Sequence, residues 1–475
     1  MQRYLAVLFS DLERHSVEWT RIPREKMVAI VAEYRYMAES LAGQYGCLYR
    51  EWAGDGHMFL FESADAAAQF GLKLIEGWKI GSESLPALKD HPHMPLRLGC
   101  HFGECTQLDG GEAWIGRGNA VAKRVEGEAE PDALFVTESV LDLLDLPLYE
   151  FEERGAHILK GDVLTARTLY RVLKFDASAL ESRPPEQLAA EDWFLKGVGL
   201  IGTAREWSDE EADCYREALR LRPDYPEAHN NYAVLLRTRG DHGEAAKHYQ
   251  EALRIRPDYP EAHYNYAALL HARGSTAGAA KHYREALRLR PDYVDAHHAL
   301  ANLLVARGEH AVAAEHYQEA LRLRPDYPEG HSNYSLLLEQ MGQLEEAVTH
   351  FREALRLAPG NAATHYNYAL LLENRDDVIG AEEQYRAALR LWPDYGEAHN
   401  NLAILLQLRG DLAGAEGHYL QALRARPYDP ETHYNYGLLL RAKGNAEGAE
   451  RHFKNAYDLA PGVDVFARRS RVRAR

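Results

Sequence analysis

Cysteine is scarce in this chain, which has four among 475 residues: Cys47, Cys100, Cys105 and Cys214. Their spacing matches neither a zinc site nor a disulfide framework. The sequence therefore excludes a small secreted domain held together by disulfides. We expect the four thiols to be small core residues in a reducing compartment.

Long hydrophobic runs are also absent, although hydrophobic residues make up 46% of the chain and charged residues 27%. No apolar stretch approaches the roughly 20 residues that a membrane-spanning helix needs. The first residues lead directly into a strand pattern without the features of a signal peptide. We therefore expect a cytoplasmic protein.

The chain has no excess of positive charge, since its formal net charge is −17. This balance argues against non-specific binding of nucleic acid. One local exception is a cluster of arginines at the C-terminus: Arg468, Arg469, Arg471, Arg473 and Arg475. We expect a solvated end there, with contact to an acidic partner as the lesser alternative.

Two strand patterns each carry an aspartate at a position suited to chemistry. Residues 50–61 alternate in polarity around Gly54-Asp55-Gly56, which predicts a β-hairpin with Asp55 at its tip. Residues 5–12 are mostly apolar and lead to Asp11. Two carboxylates side by side attract a hard divalent cation, whereas an isolated Asp55 would be a turn former.

The first 175 residues interleave helical and strand patterns. We predict helices at 24–45, 64–77, 117–128 and 138–144, and further strands at 95–107, 133–137, 149–151 and 166–173. Such interleaving predicts one α+β domain over residues 1–175 with a largely antiparallel sheet. Residues 176–187, which include Pro184-Pro185, break every periodicity and are interpreted as a linker.

From residue 188 onward, proline recurs every 34 residues. The eight positions are Pro223, Pro257, Pro291, Pro325, Pro359, Pro393, Pro427 and Pro461. Small residues such as Ala245 and Ala252 let helices approach closely, Gly240 permits a turn, and Pro257 ends a helix. Period 34 with this pattern identifies a tetratricopeptide repeat (TPR) array, so residues 188–475 are predicted to form an all-α solenoid of about eight repeats with a basic tail.

Two polar residue types recur in phase with the repeats. One histidine per repeat, such as His229, is interpreted as a packing residue, because each is a whole repeat from the next. Two positions later stand Asn231, Asn265, Asn333, Asn367, Asn401 and Asn435. These amides resemble the inner-face asparagines with which some TPR arrays hold peptides, and hydrogen bonding to neighbouring helices is the equal alternative.

Four motifs of the first 175 residues resemble the class III nucleotide cyclase catalytic domain in order and spacing. They lie at residues 9–16, 51–56, 96–104 and 116–126, and residues 157–161 with 169–172 resemble the end of that domain. The resemblance implies a ferredoxin-like sheet with added elements. It also implies conversion of a nucleoside triphosphate to a 3′,5′-cyclic nucleotide and pyrophosphate.

The resemblance assigns roles to five residues of this chain. Asp11, Asp55 and the carbonyl of Leu12 would hold two divalent ions, Mg²⁺ or Mn²⁺. Arg124 matches the arginine that neutralises charge on the α-phosphate, and Lys160 matches the lysine that holds the terminal phosphates. Because the family builds each site from two subunits, the resemblance implies a homodimer formed through this domain.

The chain departs from the family pattern near the reacting phosphate. Ala120 stands where the family places a transition-state asparagine, and its neighbour Asn119 would substitute if the helix started differently. Arg14 replaces a small residue in the phosphate loop, where it would crowd the phosphate or donate to it. Loss of one positioned donor typically costs roughly 10²–10³ in rate.

Base recognition also differs from that of adenylate cyclases. Glu51 stands where those enzymes carry lysine, and glutamate can accept from N1 and the amino group of guanine. Ala113 occupies the second base position. Glu51 therefore argues against ATP and favours guanine, while a pyrimidine triphosphate stays open.

Two functions are consistent with these motifs. The leading hypothesis is a cytoplasmic homodimeric nucleotide cyclase whose TPR array docks a protein or peptide and regulates the catalytic domain. The alternative is a catalytically weak or inactive module for nucleotide binding or dimerisation on a TPR scaffold, which Ala120, Arg14 and Ala113 favour.

Overall fold

The computed structural model describes residues 2–12, 24–53, 56–84, 94–107, 114–115, 117–144, 148–157, 159, 167–175, 188–201 and 203–461. The chain divides into two compact units. The first comprises residues 1–303 with 322–326, and the second comprises 304–321 with 327–475. The boundary falls within the repeats, because the first of them pack with residues 2–175, here called the head. No helix among the described residues is both long and apolar enough to span a bilayer.

The head is built on one mixed sheet. Its strands are β1 (Gln2–Leu12), β2 (Tyr49–Ala53), β3 (Gly56–Phe61), β4 (Leu96–Gln107), β5 (Trp114–Ile115), β6 (Ala133–Thr137), β7 (Tyr149–His157) and β8 (Arg167–Phe175). They lie in the order β2-β3-β1-β4-β6-β8-β7, with β5 paired to β4. Among the described pairings, β4 with β6 is parallel and the others are antiparallel. The prediction of a largely antiparallel sheet is confirmed.

Four helices of the head are described: α1 (Arg24–Gln44), α2 (Ala64–Ser84), α3 (Arg117–Glu128) and α4 (Glu138–Leu141). The predicted end of α2 at residue 77 was wrong. The helix continues because Trp78 is buried and its indole Nε1 donates to the Met94 carbonyl at 2.8 Å. A buried anchor of this kind overrides the weak helix propensity of Gly77.

β1 is covered on both faces, which explains why its sequence is apolar without alternation. Ala6 and Leu8 belong to a core cluster with Tyr34 of α1 and Phe70 of α2. Leu5 and Val7 face the other way and pack in a cluster that includes Ala122 of α3. The strand that ends at Asp11 is therefore fixed from both sides.

Sixteen described helices follow the head. They are α5 (Ala190–Val198), α6 (Asp209–Leu221), α7 (Pro226–Thr238), α8 (His242–Ile255), α9 (Pro260–Ala272), α10 (Thr276–Leu289), α11 (Val294–Ala306), α12 (His310–Leu323), α13 (Pro328–Gln340), α14 (Leu344–Leu357), α15 (Ala362–Asn374), α16 (Val378–Leu391), α17 (Gly396–Leu408), α18 (Leu412–Ala425), α19 (Pro430–Ala442) and α20 (Ala446–Leu459). They alternate as the two helices of successive repeats, so the predicted TPR array is confirmed.

The residues of each repeat act as their pattern predicts. Ala245, Tyr249 and Ala252 are fully buried between helices. Gly240 has φ +88°, a left-handed conformation that glycine adopts without strain. Asp376 occupies the equivalent position in a later repeat with φ +60°. The predicted linker at 176–187 and the basic tail lie outside the described residues.

Candidate functional site

Asp11 lies where β1 runs between two antiparallel neighbours. In the register with β3 it is opposite Gly56, and in the register with β4 it is opposite Arg97. Leu12 follows it and is fully buried. Asp55, which precedes Gly56 in the sequence, lies outside the described residues. The register therefore brings Asp11 to the residue next to Asp55.

The carboxylate of Asp11 is partly buried beside a cation. Arg97 Nη2 lies 3.4 Å from Asp11 Oδ2 and 3.5 Å from Glu126 Oε1, and Lys123 Nζ lies 2.9 Å from the other Glu126 oxygen. The Asp11 side chain is 17% exposed and that of Glu126 is 2% exposed. Arg97 was not among the predicted site residues, because only the cross-strand register reveals its place beside Asp11.

The donor set at this strand end suits a hard cation. A carboxylate oxygen of Asp11 and the Leu12 carbonyl are the oxygen ligands that Mg²⁺ and Mn²⁺ take. Within the described ranges, no three acidic, histidine or cysteine side chains are grouped as a metal site. Asp55, the second carboxylate that the sequence predicts for this site, lies outside the described residues, so its metal role stays a prediction.

α3 lies unusually close to β4 because Gly99 has no side chain. A Cβ on Gly99 would stand 2.0 Å from the backbone nitrogen of Glu126. This close contact fixes the depth of α3, on which the half-buried Arg124 lies. Any larger residue at position 99 would push Arg124 away from the sheet.

Ala120 and Asn119 face different directions on α3. Ala120 is exposed and lies one helical turn before Arg124, so the two share a face. Asn119 Oδ1 instead accepts a hydrogen bond from the Cys105 thiol on β4 at 3.4 Å. The helix begins at Arg117, as predicted from the sequence. The substitution of Asn119 for the missing asparagine stays a prediction, and this geometry disfavours it.

Glu51 is exposed on β2, at the edge of the sheet. Tyr49 donates its hydroxyl to Glu51 Oε2 at 3.4 Å. Burial, followed by the charge of Glu51, raises the pKa of Tyr49 to about 12. The carboxylate is therefore held by a neutral phenol while remaining accessible, as a group that recognises a base must be.

Three further predicted residues, Arg14, Ala113 and Lys160, lie outside the described residues. Of the predicted head residues, Asp11, Leu12, Glu51, Asn119 and Arg124 are described. Asp11 and Leu12 adjoin at the end of β1, whereas Asn119 and Arg124 lie on α3. Their assigned roles stay predictions.

The repeat asparagines form hydrogen bonds inside the chain. In the first unit, Asn231 donates to the Gln44 carbonyl of α1 at 3.4 Å, and Asn265 donates to Asn230 at 3.1 Å. In the second unit, Asn401 donates to two tyrosine hydroxyls at 3.3 Å, and Asn435 donates to Asn400 at 3.2 Å. Asn333 and Asn367 occupy the equivalent positions of α13 and α15. Neighbour contacts are thus present, and peptide binding stays a prediction.

The repeat histidines pack in pairs. His229 Nε2 lies 2.9 Å from the Pro223 carbonyl, which can only accept, so this nitrogen carries the proton. His229 Nδ1 then accepts from Nδ1 of His248 at 2.8 Å. Burial, followed by the neighbouring ring, lowers the pKa of His248 to about 4. The same pairing recurs along the array, which supports packing over metal binding.

Comparison with known families covers both parts of the chain. Residues 2–173 match the adenylate and guanylate cyclase catalytic domain. Tetratricopeptide repeat families match 214–247 and, in overlapping segments, 298–464, and a family described as TPR repeat matches 234–308 in two segments. No curated protein matches the chain.

Solved structures similar to this chain include a TPR protein, PilF and an adenylyl cyclase. YrrB, a TPR protein with an unusual peptide-binding site, is 22% identical over 39% of this chain and 96% of its own, with a TM-score of 0.36. PilF of Pseudomonas aeruginosa is 23% identical over 44% and 95%, with a TM-score of 0.41. The adenylyl cyclase CyaB of P. aeruginosa is 20% identical over 37% and 95%, with a TM-score of 0.32.

The head thus matches one family over residues 2–173, and the helices after it have the 34-residue period of another family and match it over residues 214–464. The chain therefore consists of a domain of the adenylate and guanylate cyclase catalytic family followed by a tetratricopeptide repeat array.

Proposed function

We propose that the head is a nucleotide cyclase that converts a nucleoside triphosphate to its 3′,5′-cyclic nucleotide and pyrophosphate. The observation that carries this proposal is the pairing of Asp11 with Gly56, which brings one predicted metal ligand to the neighbour of the other. The family match over residues 2–173 supports it. The cytoplasm, where the triphosphate is available, is the compartment we propose.

Asp11, Asp55 and the Leu12 carbonyl would hold two Mg²⁺ or Mn²⁺ ions. When bound, such ions lower the pKa of the attacking 3′-hydroxyl and neutralise the phosphates. Arg97 lies 3.4 Å from Asp11 and would oppose a cation there. The buried Glu126, 3.5 Å away, offers Arg97 a second carboxylate to pair with once Asp11 binds a metal ion.

Arg124 and Lys160 would act on the phosphates, and Glu51 on the base. In the proposed homodimer these three come from the partner of the protomer that supplies Asp11 and Asp55. Glu51 is exposed on the edge strand β2, where a base could approach it. Its acceptor oxygens favour guanine, so GTP is the substrate we propose and a pyrimidine triphosphate is the next choice.

A second function is favoured by one observation, the exposed Ala120 one turn before Arg124. The Ala120 side chain supplies no donor to a developing oxyanion. The Asn119 side chain instead accepts a hydrogen bond from the Cys105 thiol. A head without that donor would bind nucleotide and dimerise while turning over slowly or not at all, leaving the array to work as a scaffold.

The test is to incubate the purified full chain with each of the four triphosphates and Mn²⁺, and to measure cyclic nucleotide and pyrophosphate. We expect product with GTP, its loss in Asp55→Ala, and a rise of roughly 10–100-fold in Ala120→Asn. Glu150→Gln, at an exposed site on β7, is the control and should leave the rate unchanged. Turnover that persists in Asp55→Ala would refute the proposal.

The shared site has a separate test by mixing. Asp55→Ala and Arg124→Ala protomers should each be inactive alone. A mixture that re-equilibrates should recover about a quarter of the wild-type rate, because half of the dimers then contain one intact site of two. No recovery would place both residues in one protomer's site and contradict the proposed dimer.

A further inference from the structure

The C-terminal end of α1 is held by repeat residues of the first unit. Tyr259 donates its hydroxyl to the Gly43 carbonyl at 3.5 Å, and Asn231 donates its amide to the Gln44 carbonyl at 3.4 Å. Carbonyls in the last turn of a helix have no donor within the helix. The repeats therefore supply the hydrogen bonds that the end of α1 lacks.

Charged pairs fix the same side of the head to the repeats. Glu33 receives both arms of the Arg324 guanidinium, at 2.7 and 3.1 Å, and the Arg324 guanidinium also lies 3.8 Å from the centre of the Tyr36 ring. Arg50 is paired with Glu261, both side chains being nearly buried. Burial alone would raise the pKa of Glu261, but Arg50 and Arg290 hold it at about 2.

The predicted peptide-binding face and α1 meet at a cavity. The cavity has a volume of about 310 Å³ and is lined by α1 residues such as Tyr36 and Gly43 and by repeat residues that include Asn231 and Asn265. Two of the six asparagines predicted to hold a peptide thus face a helix of the same chain. α1 therefore lies beside the face that one of the two interpretations of these asparagines assigns to a peptide.

The opposite side of α1 touches the strands that carry the metal ligands. Tyr34 donates its hydroxyl to Ser10 Oγ at 2.5 Å, and Ser10 precedes Asp11. Glu39, which also lines the cavity with the repeats, has its Oε1 3.7 Å from Nε2 of His57, two residues after Asp55. Because Tyr34 and Tyr36 are about 200° apart around the helix, one side of α1 contacts the strands while the other contacts the repeats.

We infer that α1 is the ligand of the inner face of the first repeats, and that an external peptide reaches Asn231 and Asn265 by separating that face from α1, which stays packed in the core of the head. The competing partner would share the chemistry of α1. It would be a helix with a carboxylate and a tyrosine three residues apart, like Glu33 and Tyr36, and its last carbonyls would lie about two turns after the tyrosine. Its effect on catalysis rests on the proposed function, because loss of the contact with the repeats would let α1 shift against the strands beside Asp11 and Asp55.

The repeats provide a matched pair of variants for a test. Arg324→Ala removes the contact to Glu33 and Tyr36. Arg426, three repeats later at the equivalent position, pairs with Glu397 of the second unit instead, so Arg426→Ala is the control. The fold tolerates this change, because Ala358 already occupies the equivalent position in the repeat after Arg324.

Hydrogen exchange of the full chain measures docking without any need for turnover. In Arg324→Ala we expect the α1 amides to exchange roughly tenfold faster or more, because a bidentate charged contact is lost. We also expect faster exchange of the amides at the ends of β1 and β3. Arg426→Ala should change neither region. Unchanged exchange in α1, or an equal rise in both variants, would overturn the inference.

A second measurement separates this inference from the proposed function. If the chain turns over GTP, Arg324→Ala should alter the rate while Arg426→Ala does not. If the chain turns over no triphosphate, the proposed function fails, yet the exchange result still decides whether α1 is docked. Faster exchange that is confined to α1 and absent from β1 and β3 would overturn the link to the metal-bearing strands.

Discussion

The same ion pair recurs in the repeats, and two of its copies, four repeats apart, have different surroundings. In the first unit Arg290 lies 2.9 Å from Glu261, with side chains 7% and 11% exposed. In the second unit Arg426 lies 2.5 Å from Glu397, with side chains 45% and 43% exposed. The repeat sequence supplies the pair, and the head determines its burial, since Gly43 and Arg50 lie against Glu261.

Identical repeat positions therefore acquire different energetic roles once a partner covers them. An exposed ion pair contributes little because water screens it. A buried one constrains the structure, because losing either charge leaves the other uncompensated. Glu261 bridges Arg50 of the head and Arg290 of the repeats, so it joins two parts of the first unit.

The largest expected difference is between Glu261→Gln and Glu397→Gln. We expect Glu261→Gln to lower the free energy of unfolding of the first unit by about 3–5 kcal/mol, because two buried arginines lose their carboxylate. Glu397→Gln should cost about 0–1 kcal/mol. Urea titrations followed by tryptophan fluorescence and circular dichroism would measure both changes. Equal losses of stability in the two variants would show that burial by the head does not strengthen the role of Glu261.

Acid should reproduce the first of these losses in the wild type. The pKa of Glu261 is depressed from 4.5 to about 2, so its contribution is present above about pH 4.5 and is lost as the pH falls towards 2. The Glu261→Gln variant should lack this part of the acid dependence. If the difference in free energy of unfolding between wild type and Glu261→Gln stayed constant from pH 5 to pH 2.5, it would argue against the depressed pKa of Glu261.

Histidine pairs occur in both units of the chain. The second histidine of several pairs, including His282 in the first unit and His452 in the second, has a pKa lowered from 6.5 to about 4 by burial and then by its partner ring. The unfolded chain therefore takes up protons first as the pH falls from 6.5 to 4. Stability should fall through this window in both units.

A natural replacement within the chain suggests the control for that prediction. Gln384 takes the place of the second histidine opposite His365. His282→Gln and His452→Gln should each flatten the pH dependence of the thermal midpoint between pH 6.5 and 4, by up to one proton taken up on unfolding. A slope that neither variant changes would show that these rings titrate normally.

Two glycine substitutions should have opposite signs. A Cβ on Gly43 would stand 2.9 Å from the Glu261 side chain, which two arginines hold in place, so Gly43→Ala should destabilise by about 1–3 kcal/mol. Gly417 of α18 has open space around it, so Gly417→Ala should stabilise by about 0.5–1 kcal/mol. Thermal unfolding of the two variants measures both. A stabilising Gly43→Ala would mean that α1 is not held against the repeats.

Loss of one amide at the end of α1 should have a small effect. Asn231→Ala should cost about 1 kcal/mol and speed exchange at the end of α1, because the Gln44 carbonyl loses its donor. Asn435→Ala removes a contact to Asn400 and should leave α1 exchange unchanged. Equal exchange in the two variants would remove Asn231 from the docking contact.

Local features of the fold were predictable from the sequence because they depend on nearby residues. The bounds of α3 and β6 follow from apolar spacing and flanking glycine or proline residues. The repeat helices follow from a period that each unit shares. Asp11 was expected where an apolar strand ends, and it lies in β1, which ends at Leu12. Each of these signals lies within a few residues of the feature it predicts.

Features that depend on distant pairing were not predictable. The pairing of Arg97 with Asp11 needs the register of β1 with β4, which no single strand reveals. The contact of Arg50 with Glu261 joins residues 211 positions apart, and either side chain alone has the pattern of a surface charge. Trp78 extends α2 beyond Gly77 only because the core receives it. Tertiary packing, rather than local propensity, decides these features.

Arg50 has two roles: it donates to the Glu39 carbonyl of α1 at 3.0 Å, and it pairs with Glu261 of the repeats. These two contacts limit which repeat arrays can be joined to this head. A cyclase head grafted onto a foreign repeat protein would carry an almost buried guanidinium with no carboxylate to meet it. Head and array are therefore not interchangeable modules, and a well-folded chimera would have to keep the first repeats together with the head.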